Sequence, residues 1–155
     1  MFSKIQFYCF LCLFVLVSAC SDKPLSREEQ VRQFVDIGVK AAESRSHRDL
    51  GALIDESYRD QKALTKIQLL KLIKLYFFRH KNIFLFTKIN DIDFVTEDEA
   101  TVNLHVAMAG SVISDASALL SLRAKIYRFE LELVKKDGWL LREASWFPAS
   151  MADMQ

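Results

Sequence analysis

Glycine, proline and cysteine are all scarce in this 155-residue chain, at 4, 2 and 3 residues. The glycines stand alone at 38, 51, 110 and 138, so no glycine-rich loop can cradle a phosphate. No Gly-x-Ser-x-Gly or comparable nucleophile motif occurs. Cys9, Cys12 and Cys20 all lie near the N-terminus. The rest of the chain therefore has no disulfide, no cysteine metal site and no thiol nucleophile. His47, His80 and His105 are the only histidines, and none has a second metal-ligating residue at useful spacing, so no metal and no cofactor is expected. An excess of charge is lacking too: 21 basic against 20 acidic side chains leave +1. A nucleic-acid partner is not expected, since nothing would neutralise phosphates. Low charge with many aromatics excludes a disordered chain. A second long apolar run is missing, which excludes a multi-span membrane protein. The length suits one domain.

What is present begins at the N-terminus. Residues 1–19 hold fifteen apolar side chains and one charge, Lys4. Without them the chain is neutral. Ile5 to Val17 is an apolar run of thirteen residues broken only by Gln6. A spanning helix needs about 20, so the run reads as an export signal. It ends in Val17-Ser18-Ala19-Cys20, which resembles the lipobox of bacterial lipoproteins. The resemblance implies cleavage before Cys20, a diacylglycerol thioether on its sulfur and an acylated (palmitate-type) amine. Several acyl chains make a stable anchor. Ser21 to Leu25 is a polar, proline-containing tether. By resemblance to lipoprotein sorting, Ser21 rather than Asp directly after the lipidated Cys favours the periplasmic face of the outer membrane over the inner membrane.

Helices come first in the remaining chain, strands after. Ser26-Arg27-Glu28-Glu29 is a capping box, and Val31, Phe34, Val35, Gly38, Val39 and Ala42 repeat at helical spacing, predicting a helix over 27–44. Ser46–Asp49 starts a short second helix ending near Asp55. Glu56–Leu64 reads as polar and irregular. Thr65-Lys66-Ile67-Gln68 is another capping box, opening a third helix to about His80, whose wide apolar face over Ile67–Phe78 reads as core. The period then drops to 2. Strands are expected over 82–89, continuing after a kink to Val95, then over 101–109, 124–135 and 139–147, with a helical turn at Asp115–Leu120. Lys136-Asp137-Gly138 reads as a three-residue hairpin loop with Gly138 left-handed. Pro148 ends the last strand and residues 149–155 form a frayed tail. The domain thus covers 26–148, after a 1–19 signal and a 20–25 tether.

Helices followed by antiparallel strands define an α+β domain. With the Tyr58-Arg59-Asp60 loop and the final Lys135–Leu141 hairpin, the order of elements resembles the cone-shaped nuclear transport factor 2-like superfamily, which includes ketosteroid isomerase. A cystatin-type sheet is the runner-up. The resemblance implies N-terminal helices packed on a curved antiparallel sheet around a pocket, with Tyr58 and Asp60 near its entrance. The residues alone allow an ordinary turn with an Asp cap.

Pairing Lys135 with Trp139 sets Leu133 opposite Leu141, Leu131 opposite Glu143, Glu132 opposite Arg142 and Arg128 opposite Trp146. Tyr127, Phe129, Leu131, Leu133 and Leu141 then line the concave face, and Glu143 is a carboxylate among them: a base or ligand anchor if deep, solvated or paired if at the rim. His105 shares a polar strand face with Thr101 and Asn103 and is expected in solvent.

Three functions fit. The first is a membrane-tethered periplasmic lipoprotein whose non-catalytic domain binds a protein or small apolar ligand. The second is a docking subunit of an envelope or secretion machine. The third is an isomerase- or dehydratase-type enzyme using Glu143 with Tyr58 or Tyr127. Partners are the membrane through the lipid and an envelope protein; a homodimer stays open.

Overall fold

The structure, a computed structural model, describes residues 24–110 and 125–154. The lipobox, with Cys20, and the turn expected at Asp115–Leu120 lie outside these. The elements are α1 (Arg27–Glu43), α2 (His47–Ala52), β1 (Ile54–Asp60), α3 (Lys66–Arg79), β2 (Phe84–Phe94), β3 (Glu99–Ala109), β4 (Lys125–Lys135), β5 (Trp139–Pro148) and a 3-10 turn, Met151–Met154.

Each helix starts where its cap predicts. The Ser26 amide donates to Glu29 Oε2 at 2.7 Å and the Glu29 amide to Ser26 Oγ at 3.2 Å. Thr65 and Gln68 repeat this reciprocal pair, and Ser46 Oγ accepts from the Asp49 amide. These bonds satisfy amides that a helix leaves without internal partners. Glu29 is held below the usual carboxylate range by the Ser26 hydroxyl and amide.

One five-stranded sheet carries the domain, in the order β1-β5-β4-β3-β2. β2 to β5 pair antiparallel. The kink expected after Ile89 is a register shift at Asn90. β1 is the departure from expectation: the stretch read as irregular is a strand, parallel to β5 along its edge. Its polar appearance has a simple cause. Ile54, Asp55, Tyr58 and Asp60 are buried while Glu56, Ser57 and Arg59 meet water. Two of the buried side chains are carboxylates, and a register irregularity between Ile54 and Arg59 breaks the period of two, so no alternation shows in the sequence.

α1 lies across the concave face. Val31, Phe34 and Val35 pack with Ala100, Val102 and Leu104 of β3, Leu133 of β4 and Trp139 of β5. A second cluster joins Ile54 and Tyr58 of β1 to Ala144 of β5, with Leu69 and Leu70 of α3 against it. Gly51 permits the close approach of α2 to α3, since a Cβ there would stand 3.3 Å from Leu70 Cδ1. Residues 149–154 are not frayed. Ser150 donates through amide and hydroxyl to Asp153 Oδ2, both at 2.7 Å, and Met154 is buried against Ala107 on the convex face.

The hairpin turns as expected for three pairs, Lys135–Trp139, Val134–Leu140 and Leu133–Leu141, and then slips. Arg142 is the extra residue of a bulge, so Glu132 lies opposite Glu143, Leu131 opposite Ala144, Phe129 opposite Trp146 and Arg128 opposite Phe147. A one-residue slip exchanges the faces of every later side chain. Gly138 does not take a left-handed conformation. The Glu132–Arg142 ion pair nevertheless forms, at 3.3 Å, because the bulged guanidinium reaches both Glu132 and, at 2.5 Å, Glu99. These carboxylates raise the Arg142 pKa, the Glu99 hydrogen bond most. Arg128 stacks over Phe147, not Trp146, at 5.4 Å.

Candidate functional site

Between α1, α2, α3 and the concave sheet lies a cavity of about 270 Å³. Phe34, Leu53, Leu69, Ile73, Val106, Met108, Phe129 and Leu131 are among the side chains around it, and Thr87 is its one polar side chain. Among the described residues, no ionisable group lines it. A groove of about 600 Å³ continues from it along α3, sharing Leu69, Ile73, Met108 and Phe129 and adding Tyr76, Phe77, Tyr127 and Trp146. Phe129 and Trp146 stack there with ring centres 6.3 Å apart, Tyr127 meets Phe129 edge-on at 6.4 Å, and the Lys62 ammonium stands 5.8 Å from the Trp146 ring. Cavity and groove adjoin through these shared side chains and are of a size suited to a small ligand; Lys62, Arg79 and His80 add basic groups to the groove. Its walls exist because β3 and β4 present alternate residues inward, and because the bulge brings Trp146 in where the regular register would place Ser145.

The four residues expected at a pocket separate. Tyr127 lines the groove. Tyr58 is almost fully buried, deep in the cluster with Ile54 and Ala144 rather than at an entrance. Burial, and then the charges of Asp60 and Glu143, push its phenol well above the usual range, so Tyr58 stays protonated at any physiological pH. Asp60 is buried as a cap: Oδ1 accepts from the amides of Lys62 at 2.8 Å and Leu64 at 3.0 Å. It holds a loop in which Ala63 takes φ of 58°, a conformation costly for an L-residue. Its Oδ2 has no hydrogen-bond partner among the described residues. Glu143 is not on the concave face. The bulge turns it outward, exposed, opposite Glu132. Glu143→Gln is therefore expected to change stability by less than about 0.5 kcal/mol. Urea unfolding of both proteins checks this, and a loss several times larger would return the carboxylate to the interior.

His105 also departs from expectation. It is 6% exposed, with Nδ1 3.0 Å from Asn90 Oδ1. It borders a polar recess of about 670 Å³ on the convex face, beside Asn103, Arg128 and Asp153 under the folded-back C-terminus. The tail that covers it carried no periodic signal. Asp153 is held low mainly by the Ser150 amide and hydroxyl, with His105 and Arg128 adding to this. Among the described residues, no cluster of three or more His, Cys, Asp or Glu could hold a metal ion.

Comparison with known proteins places the architecture. No family model matches the chain, and no curated protein matches it in sequence. Many solved structures match in fold. A putative scytalone dehydratase from Novosphingobium aromaticivorans superposes with TM-score 0.66 at 17% identity, over 79% of this chain and 84% of that one. A domain of unknown function with a cystatin-like fold from Nostoc punctiforme gives 0.61 at 15% identity, over 82% and 80%. A ketosteroid isomerase-like protein from Erwinia carotovora atroseptica gives 0.59 at 14%, over 81% and 99%. The chain therefore has the nuclear transport factor 2-like cone fold: helices packed on a curved, unclosed five-stranded sheet. At such identities the likeness is one of fold, and function rests on the site.

Proposed function

We propose that this protein is a lipid-anchored domain of the bacterial envelope that binds a small apolar ligand inside its cone. The observation that carries the reading is the chemistry of the interior: an inner cavity with no ionisable group around it among the described residues, opening to a groove whose walls are mostly aliphatic and aromatic, with Lys62, Arg79 and His80 among them. Such a cavity holds a hydrocarbon-like molecule by burial alone. The anchor is the reading of Val17–Cys20, and the outer membrane's periplasmic face is its proposed location. An isomerase-type reading loses its base, since Glu143 lies outside the cavity.

The test has two parts. Protein purified in detergent from native membranes should have lost residues 1–19 and gained the mass of acyl chains. Cys20→Ala should abolish both; a Cys20→Ala protein still processed and membrane-bound would sink the anchor. For the cavity, the same protein should bind a neutral fluorescent fatty-acid analogue. Ile73→Arg, which places a charge in the wall shared by cavity and groove, should weaken this by about tenfold or more. Equal binding by both proteins would rule the cavity out.

A further inference from the structure

The apolar side chains of Ile67–Phe78 are expected as core from their spacing, yet α3 has no fully buried residue. Its inward positions, Leu69, Leu70, Ile73 and Phe77, are half-buried. Its outward face carries apolar side chains as well: Phe78 is 85% exposed and Ile67 67%, and Leu72, Leu75 and Tyr76, more than two-fifths exposed, form the rim where the open groove meets that face. Large apolar side chains clustered on one surface mark a contact site.

The stretch of sequence that carries them is basic. From Gln61 to Asn90 the chain has seven Lys or Arg and no Asp or Glu, although the chain as a whole is nearly neutral. Lys66 is paired with Glu56 at 2.7 Å. Lys71 and Lys74 lie on the same outward face as Ile67, Leu75 and Phe78, at the helical spacings of three, four and seven, and both are exposed. Arg79 and Lys81 follow at its end. None of these four has an acidic partner among the described residues.

The geometry points to α3 as a membrane-contact element that lies flat on an anionic phospholipid surface. Its aliphatic and aromatic side chains enter the headgroup boundary, and Lys71, Lys74, Arg79 and Lys81 meet the phosphates. A helix with exposed apolar bulk and basic residues among it has the character of an interfacial helix. Lysine stems add to the apolar contact while their ammonium groups reach outward to the headgroups. A second copy of this chain is a poorer occupant, because a twofold contact would lay this basic face against itself. Contact through α3 would also place the mouth of the apolar groove, which α3 lines, beside the bilayer. The inference takes its setting from the envelope location proposed above and is independent of which ligand the cavity holds.

Depth-dependent fluorescence quenching tests it on the full-length gene product as the cell processes it. F78W and V95W place a reporter on α3 and, as a control, on the exposed β2–β3 turn. Both sites tolerate the change because both are open to solvent. With phosphatidylglycerol vesicles brominated in the acyl chains, F78W should be quenched at least about threefold more than V95W, after subtracting the unsubstituted protein. The effect should disappear in brominated phosphatidylcholine. It should also fall by about tenfold in apparent affinity in K71E/K74E or at high salt. Equal quenching at the two positions would overturn the inference, leaving the domain merely tethered. So would no quenching at 78, which would assign the face to a protein partner, or equal quenching by both lipids. Intact mass of the same preparation reports whether the acyl chains are present, so failure of the anchor and failure of the helix contact are read separately.

Discussion

Lys136→Met should cost the domain about 2–4 kcal/mol at neutral pH, although the lysine itself is half in solvent. The loss comes from what it leaves behind. Asp55, at the start of β1, is buried, and its Oδ2 accepts from the Lys136 ammonium in the β4–β5 turn. Its Oδ1 accepts from the Ser57 hydroxyl at 2.6 Å and amide at 2.9 Å. Lys136, and then Ser57, hold the Asp55 carboxyl well below the usual carboxylate range. A lowered folded value means the stabilisation is complete above the unfolded value of about 3.9 and is lost as pH falls below it. The gap between wild type and K136M should therefore be constant from pH 5 to 8 and narrow below about 4. Asp55→Asn should cost less, about 1–3 kcal/mol, because Lys136 simply returns to water. Guanidinium unfolding across pH 2.5 to 8 gives all three curves. A gap that stays level into acid would show that the carboxylate is not the group responsible.

Leu133→Ala should be more damaging still, at about 3–5 kcal/mol, lowering Tm on the order of 10 °C. Leu133 is fully buried where α1 meets the sheet, in one cluster with Val31, Val102 and Trp139. It belongs to the last regular pair of the hairpin before the bulge, so rigid strands on both sides prevent the site from collapsing around a void. Leu72→Ala on α3 removes the same atoms from a position already half in water and should cost less than about 1 kcal/mol. Calorimetric or urea unfolding of the two variants compares one side chain in two settings. Similar losses would mean that α3 is more deeply seated than its exposure indicates.

Leu133 and Asp55 differ in how far the sequence alone reveals them. Leu133 could be placed from alternation alone, as could Val102, Leu104, Phe129 and Leu131, because a strand with one wet face must repeat every second residue. Asp55 could not. Its neighbours read as the end of a helix and the start of a loop, and its partner lies 81 positions away. The β1 strand escaped notice for the same reason: its pairing is with β5, and a half-polar edge strand has no signature separate from a loop.

Local rules covered what is decided within about four residues. The caps at Ser26, Ser46 and Thr65, the helical and strand periods, the kink near Asn90 and the tip of the final hairpin are each settled by hydrogen bonds and sterics between near neighbours in sequence. With them came the α+β class. Contacts between distant segments settled the rest. The bulge at Arg142 forms where the guanidinium can reach Glu99 and Glu132, and it alone removes Glu143 from the interior and brings Trp146 in. His105 and Met154 are buried because the C-terminus folds over the convex face. The outer side of α3 stays uncovered because period tells that a face is apolar and not whether anything lies against it. Burial belongs to pairs of surfaces, and the second surface of each pair comes from elsewhere in the chain.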